Sequence, residues 1–382
     1  MMLRAPCSNG YGINSTSTDD ERRSMLIRAA SESSARIEGL RAIAIIAVVG
    51  YHLGLPQLSG GFIGVDVFFV ISGYLISSSL KREKEQAGRI TLGRFWSRRV
   101  SRLVPHGILM ILTVIILLRF LPVGSTIIDA SASAKAALFY AANLHFVSVE
   151  NGYFGELVDQ DPFLHMWSLG VEAQFYLICP LFFVLIPDRF RLHAIVVVIV
   201  ISAAMSALLS PLQPVPSFYT LPTRIWEFGL GALVAYLPAA VWQRGAGWLG
   251  LLLILLAATW FSSATIFPGY AALLPASGAM LILMAIERDE MRMLGWKALA
   301  FLGPISYGWY LWHWPLIVTA RRISDHPAAI FLGAALSLLI AWIAYTIVEA
   351  PTRHWINQSI EPKVAIAAGI FLTAIVYFGL SI

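Results

Sequence analysis

The sequence predicts an all-α, polytopic transmembrane bundle of about 10–11 spans with its N-terminus in the cytoplasm, and three observations carry that reading. Of the 382 residues, 58% are hydrophobic and 13% charged, with a mean hydropathy of +0.73. Soluble domains carry about 25% charged and roughly 45–50% apolar residues. One soluble core cannot bury the excess here, so lipid must cover much of the surface. Next, apolar stretches close to the ~20 residues that a bilayer requires recur to the end of the chain. Finally, Lys and Arg alternate between connections. With the N-terminus inside, 22 fall on the cytoplasmic side, and only Arg119, Lys135, Arg224, Arg321 and Arg322 fall outside. Dropping a single span would scramble that tally.

In chain order, residues 1–35 are polar, lack an apolar run of signal-peptide type, and are expected to be a flexible cytoplasmic tail. The transmembrane domain is expected over 36–382. Its spans lie near 40–55, 62–80, 104–121, 166–186, 192–209, 224–240, 247–264, 269–286, 299–319, 328–348 and 363–381. The long outer connection 122–165 contains a moderately apolar piece, Ala132 to Val149. With Lys135 inside it, this piece reads as an interfacial or re-entrant helix rather than a span. Twelve Trp and thirteen Tyr suit the membrane–water interfaces. The two cysteines, Cys7 and Cys179, lie in unlike settings and form neither a disulfide framework nor a metal cluster. The net charge of +5 reflects cationic cytoplasmic loops, and no nucleic-acid partner is expected.

Chemistry begins in the first span. Arg41 and His52 are eleven residues apart, about three helical turns and roughly 16 Å, which brings them to nearly the same face. Intramembrane ionisable residues are expensive to bury and are functional candidates by default. A neutral imidazole can take a proton and return it, as acid–base or nucleophilic chemistry requires. The alternative for His52 is a histidine hydrogen-bonded between helices. The second span opens Gly60-Gly61-Phe-Ile-Gly64-Val-Asp66. Asp66 can orient His52 in the manner of a triad carboxylate, or serve as a helix-packing polar group. Arg99 and Arg102, three apart in a basic run, suit bidentate phosphate recognition, or equally an anchor on anionic headgroups.

Three later strings add polar groups to aromatic backgrounds. His165-Met-Trp167-Ser168-Leu-Gly-Val-Glu172 enters the fourth span. Ser306-Tyr307-Gly-Trp-Tyr310-Leu-Trp-His313 runs through the ninth, and Glu349-Ala-Pro351 closes the tenth. Arg224 and Glu227 form an i,i+3 pair that a structural ion pair explains.

Together these strings resemble the acyltransferase-3 family of bacterial membrane O-acyltransferases, which includes O-antigen, exopolysaccharide and peptidoglycan acetylases. The resemblance runs from about Arg36 to Pro351, with the last span, 363–381, beyond it. It implies transfer of an acyl group, most simply acetyl, from cytoplasmic acyl-coenzyme A to a hydroxyl of a surface or secreted glycan. It makes His52 the catalytic residue and Arg41 its partner, and puts Arg99 and Arg102 near the donor phosphates. Glu349 would help shape the donor site, with His165, Trp167, Glu172, Ser306, Tyr307, Tyr310 and His313 supporting the acceptor side. Acyl-CoA would be a co-substrate, with no permanently bound cofactor and no metal. The expected partners are the carbohydrate acceptor, the lipid bilayer of a bacterial inner membrane, and glycan-assembly proteins. Relatives often have a second acid after Glu172, where this chain has Ala173, so no catalytic role is assigned there. Some also carry a hydrolase-like domain after the last span. As the sequence stops at Ile382, any acyl carrier on the outer face is expected to be another protein or to be dispensable.

Two other classes compete. A transporter or flippase for a glycan or anionic small molecule would use the same buried ionisable groups as relays. A polytopic scaffold would use them only to hold helices together.

Overall fold

The computed structural model describes residues 15–120, 130–149, 160–238, 244–288 and 290–380. Among these there is no strand. Residues 1–14, with Cys7, lie outside the described part. From Ser15 the chain is helical and runs without a break into the first span, as α1 (Ser15–His52). Then follow α2 (Gly64–Ala87), α3 (Leu92–Phe120), α4 (Ala130–Leu138), α5 (Ala142–Ser148), α6 (Met166–Leu185), α7 (Asp188–Leu209) and α8 (Pro214–Tyr219). The second half contains α9 (Ile225–Tyr236), α10 (Ala246–Trp260), α11 (Leu273–Glu287), α12 (Lys297–Ile323), α13 (Pro327–Ala344), α14 (Ala350–Ser359) and α15 (Pro362–Gly379). Each of the eleven expected spans overlaps one of these helices.

Among the described residues, six helical stretches are long and apolar enough to cross a membrane: Gly61–Ala87, Leu92–Phe120, Met166–Leu185, Asp188–Leu209, Pro327–Ile356 and Pro362–Gly379. The chain is therefore a multi-pass membrane protein. Its outer helices show why. Along α7, Val196, Val197, Val200, Ile201 and Leu208 are all exposed, an apolar face that only lipid covers well. The centre is different. α12 packs between α1 and α13, and nearly every residue from Gly303 to Ala320 is buried, including Ser306, Tyr307, Tyr310 and His313. These polar groups lower its hydropathy because it faces protein rather than lipid.

Small residues set one of the tightest contacts. A Cβ added at Gly73 would sit 1.9 Å from the Phe228 carbonyl oxygen, and one at Gly231 would sit 1.9 Å from that of Val70. Facing glycines thus bring the backbones of α2 and α9 together, as small residues do wherever membrane helices cross closely.

Two breaks in helical geometry position functional side chains. Between α8 and α9 the chain passes through the short 3-10 turn Leu221–Thr223. Non-helical backbone at membrane depth must be satisfied by protein. Ser202 does this, donating to the Pro222 carbonyl (2.6 Å) and accepting from the Trp226 N–H (3.2 Å). Arg224 sits at the start of the next helix. After α13, a π-helical turn, Tyr345–Glu349, rotates Glu349 into the interior, where it is 1% exposed.

The long connection 122–165 differs from expectation in one respect. Instead of one helix over 132–149 there are two short ones, α4 and α5, broken at Tyr140, whose φ is +53°. Residues 121–129 and 150–159 lie outside the described part.

Candidate active site

Eighteen side chains from α1, α2, α3, α6 and α12 line a partly open cleft of about 700 Å³, a volume that includes the space at its mouth. Its wall is unusually cationic for the interior of a membrane protein: Arg41, Arg99 and Arg102 face it, against the single carboxylate of Glu172. Arg41 is paired with Glu38 one turn below, at 3.1 Å. Arg99 lies over the rings of Phe95 and Tyr176, both 5.3 Å away, and Arg102 lies over Tyr307 at 5.8 Å. The Nε of each of these two arginines is buried and has no hydrogen-bond partner among the described residues. Glu172 accepts from Tyr176 at 2.6 Å and from Ser72 across the cleft. Guanidinium donors held by stacking and left unsatisfied are what a planar or tetrahedral anion requires.

The far end of the cleft closes on a pair of hydroxyls. Tyr310 donates to the His165 carbonyl at 2.9 Å and lies 2.7 Å from the Ser168 hydroxyl. Behind this pair stand three buried histidines. Nδ1 of His52 is 2.9 Å from Nε2 of His313, with the rings stacked at 5.1 Å. His165 lies edge-on to His313 at 5.8 Å, and neither of its ring nitrogens has a hydrogen-bond partner among the described residues. His52 ends α1. Its carbonyl accepts from Arg321 at 2.6 Å, and its ring lies 4.5 Å from that of Trp314.

Of the sequence candidates, Arg41, Arg99, Arg102, Glu172, Ser306, Tyr307 and Tyr310 therefore share the cleft, while His52, His165 and His313 form the cluster behind it. Arg41 and His52 sit at opposite ends of the arrangement on one helix. One expectation is corrected, and two further candidates lie outside the cleft wall. Asp66 does not orient His52: it accepts from Arg224 at 2.8 Å, and Arg224 also binds Glu227 at 2.9 Å, all three being 1% exposed or less. Trp167 does not face the cleft either, because its ring packs against Phe218 and under the Arg224 guanidinium. Glu349 does not line the cleft. It binds Nδ1 of His106 at 3.0 Å, and Trp312 donates to the other ring nitrogen of His106 at 3.0 Å.

His106 is the residue that the sequence reading passed over. An ionisable group inside the span 104–121 is the available signal, masked by the basic run that ends just before it. Asp161 was also missed. It ties the helix α4 to the histidine cluster: its carboxylate accepts from Ser133 (3.1 Å) and the Phe163 N–H (2.7 Å), and its carbonyl accepts from Trp314 (2.7 Å). Burial raises the Asp161 pKa above its usual range, against these two hydrogen bonds.

Comparison with known proteins places this geometry in context. Residues 34–346 match a family described as an acyltransferase domain. Among curated proteins, the chain is 31% identical over 343 residues to O-acetyltransferase OatA of Staphylococcus aureus, covering 83% of this chain and 57% of that one. It is 29% identical over 389 residues to peptidoglycan O-acetyltransferase OatA of Listeria monocytogenes, covering 90% and 62%. The chain thus spans about three fifths of the length of these relatives. No solved structure matches it.

Proposed function

The chain belongs to the acyltransferase family, and from that premise we propose that it moves an acetyl group from acetyl-coenzyme A to a hydroxyl of a cell-wall glycan. One observation carries the reading beyond the family: an arginine-lined cleft and a buried histidine cluster meet at a neutral hydroxyl pair. Coenzyme A is a polyanion that does not cross lipid. With the N-terminus in the bacterial cytoplasm, as the distribution of Lys and Arg favours, Arg99 and Arg102 open the cleft on the side where the donor is made. His52 and Arg321 then lie toward the outer face, where the glycan is.

In this reading Arg41, Arg99 and Arg102 hold the donor's phosphates, and its thioester arm extends along the cleft toward Ser168 and Tyr310. The glycan hydroxyl reaches His52 from the other side. His52 takes the hydroxyl proton as oxygen attacks the thioester carbon; the C–O bond forms, the C–S bond breaks, and the thiolate receives the proton. The name of the Listeria monocytogenes relative favours peptidoglycan as the acceptor class.

The test is mass spectrometry of glycans from cells with the intact gene, a deletion, or His52→Ala. An acetyl substituent present only with the intact protein is the expected result. Identical glycans in all three strains, with the variant protein present in the membrane, would overturn the proposal.

A further inference from the structure

A base that works through one ring nitrogen needs its other nitrogen held in the right protonation state, and the carboxylate expected to do this, Asp66, is committed to Arg224. The geometry points to His313 as the positioning residue that fixes the tautomer of His52, an inference that rests on the function proposed above. The argument starts from two carbonyls. Nδ1 of His313 lies 2.7 Å from the Tyr310 carbonyl oxygen and 3.2 Å from that of Trp309. Carbonyl oxygens only accept, so Nδ1 of His313 carries the hydrogen. In a neutral ring Nε2 is then bare and can only accept. Nδ1 of His52, 2.9 Å away, is therefore the donor in the contact between the two rings. The unprotonated nitrogen of His52 is Nε2, and that nitrogen is the one able to take a proton from a substrate hydroxyl.

The deduction requires a neutral His313. That ring is fully buried, Tyr310, Trp309 and Trp314 are its close neighbours in the chain, and no carboxylate pairs with it among the described residues. A charge left there without a partner is the costly alternative. The order Tyr310 carbonyl and His313, then His52, then substrate hydroxyl reproduces the logic of a carboxylate, a histidine base and a nucleophile, with a backbone carbonyl and a second imidazole together replacing the acid. It also places the Ser306-to-His313 string in direct service of His52. Four helical positions separate Trp309 from His313 and three separate Tyr310 from it, so one turn of α12 supplies both carbonyls and the ring that they orient.

The experiment uses the full chain in proteoliposomes, with acetyl-coenzyme A as donor and peptidoglycan glycan strands as acceptor. His313→Gln puts an amide oxygen where Nε2 stood and keeps an acceptor for His52. His313→Met and His313→Asn leave no acceptor there. The expected result is kcat within about tenfold of wild type for Gln, and a loss on the order of 10²- to 10⁴-fold for Met and Asn. The donor KM stays unchanged in all three. Two acceptor-free variants are included so that poor assembly of one leaves the other to decide. Full activity in Met or Asn overturns the inference, as does a Gln variant as inactive as they are, or a loss expressed in donor KM. His52→Ala, run in parallel, separates the two levels. If it transfers acetyl as well as wild type, the proposed function itself fails. If it is dead while Met and Asn are fully active, only the role of His313 fails.

Discussion

Replacing Arg224 by methionine removes the cation that Asp66 and Glu227 share. The guanidinium lies 2.8 Å from one carboxylate and 2.9 Å from the other, donates to the Phe218 carbonyl at 3.1 Å, and is ringed by Trp167, Phe218 and Phe267 at 5.1–5.6 Å. Oδ2 of Asp66 and Oε2 of Glu227 already have no donor among the described residues. Methionine fills similar space, so the main loss is electrostatic: two carboxylates remain in the interior with nothing to balance them. Breaking a buried pair in this way costs about 3–5 kcal/mol. Unfolding in mixed detergent micelles measures it. Adding Asp66→Asn and Glu227→Gln to Arg224→Met removes the stranded charges and should recover most of the loss. Asp66→Asn alone should leave acetyl transfer close to wild type, because Asp66 serves the fold rather than the base. An Arg224→Met protein within about 1 kcal/mol of wild type would refute the electrostatic argument. A fall in kcat for Asp66→Asn at unchanged stability would return Asp66 to the chemistry.

Arg99→Ala with Arg102→Ala should raise the donor KM and leave the acceptor KM nearly unchanged. At about 1.5–3 kcal/mol for each charge-assisted bond lost, the rise is on the order of 10²- to 10⁴-fold, and steady-state kinetics at varied acetyl-coenzyme A reads it. Gly73→Leu or Gly231→Leu should prevent α2 and α9 from closing, because the new Cβ would meet a carbonyl oxygen at 1.9 Å. Loss of the folded fraction after detergent extraction, judged by size exclusion, checks this. Asp161 makes a pH-dependent contribution. Its pKa is raised by burial from an ordinary value of 3.8, so the folded protein holds this proton more tightly than the unfolded chain. Stability is therefore greatest below 3.8 and falls as pH rises from there through the raised folded value. Asp161→Asn, which keeps an acceptor for Ser133 and Phe163, should flatten that part of the stability–pH curve in thermal melts.

How much of this was legible in the sequence follows from where each signal lives. Spans were readable because lipid imposes length and apolarity on one continuous segment. His52, Arg41, Arg99 and Arg102 stood out for the complementary reason, as costly groups in or beside apolar runs. Partnership was not readable. Asp66 and Arg224 are 158 positions apart, and nothing local says that α2 and α9 meet there. His106 and Glu349, 243 apart, present the same difficulty, increased by a π-helical turn that no simple periodicity anticipates. The break at Tyr140 was missed because the apolar pattern continues through a residue whose backbone does not. His313 was identified as a supporting residue, yet its role depends on two carbonyl oxygens, and backbone atoms leave no mark on a sequence.

A passage open to both sides of a bilayer at once conducts ions and dissipates the gradient across it. An enzyme that admits a donor from one compartment and an acceptor from the other faces that hazard at every turnover. The contact between Ser168 and Tyr310 stands where the two approaches would join. It is uncharged, it consists of two hydroxyls, and either can rotate without leaving an ion unbalanced in the interior. A salt bridge at this point would hold more firmly but would cost far more to open. On the function proposed above, the hydroxyl pair would act as an electrical insulator, yielding to an acyl group while the membrane stays sealed.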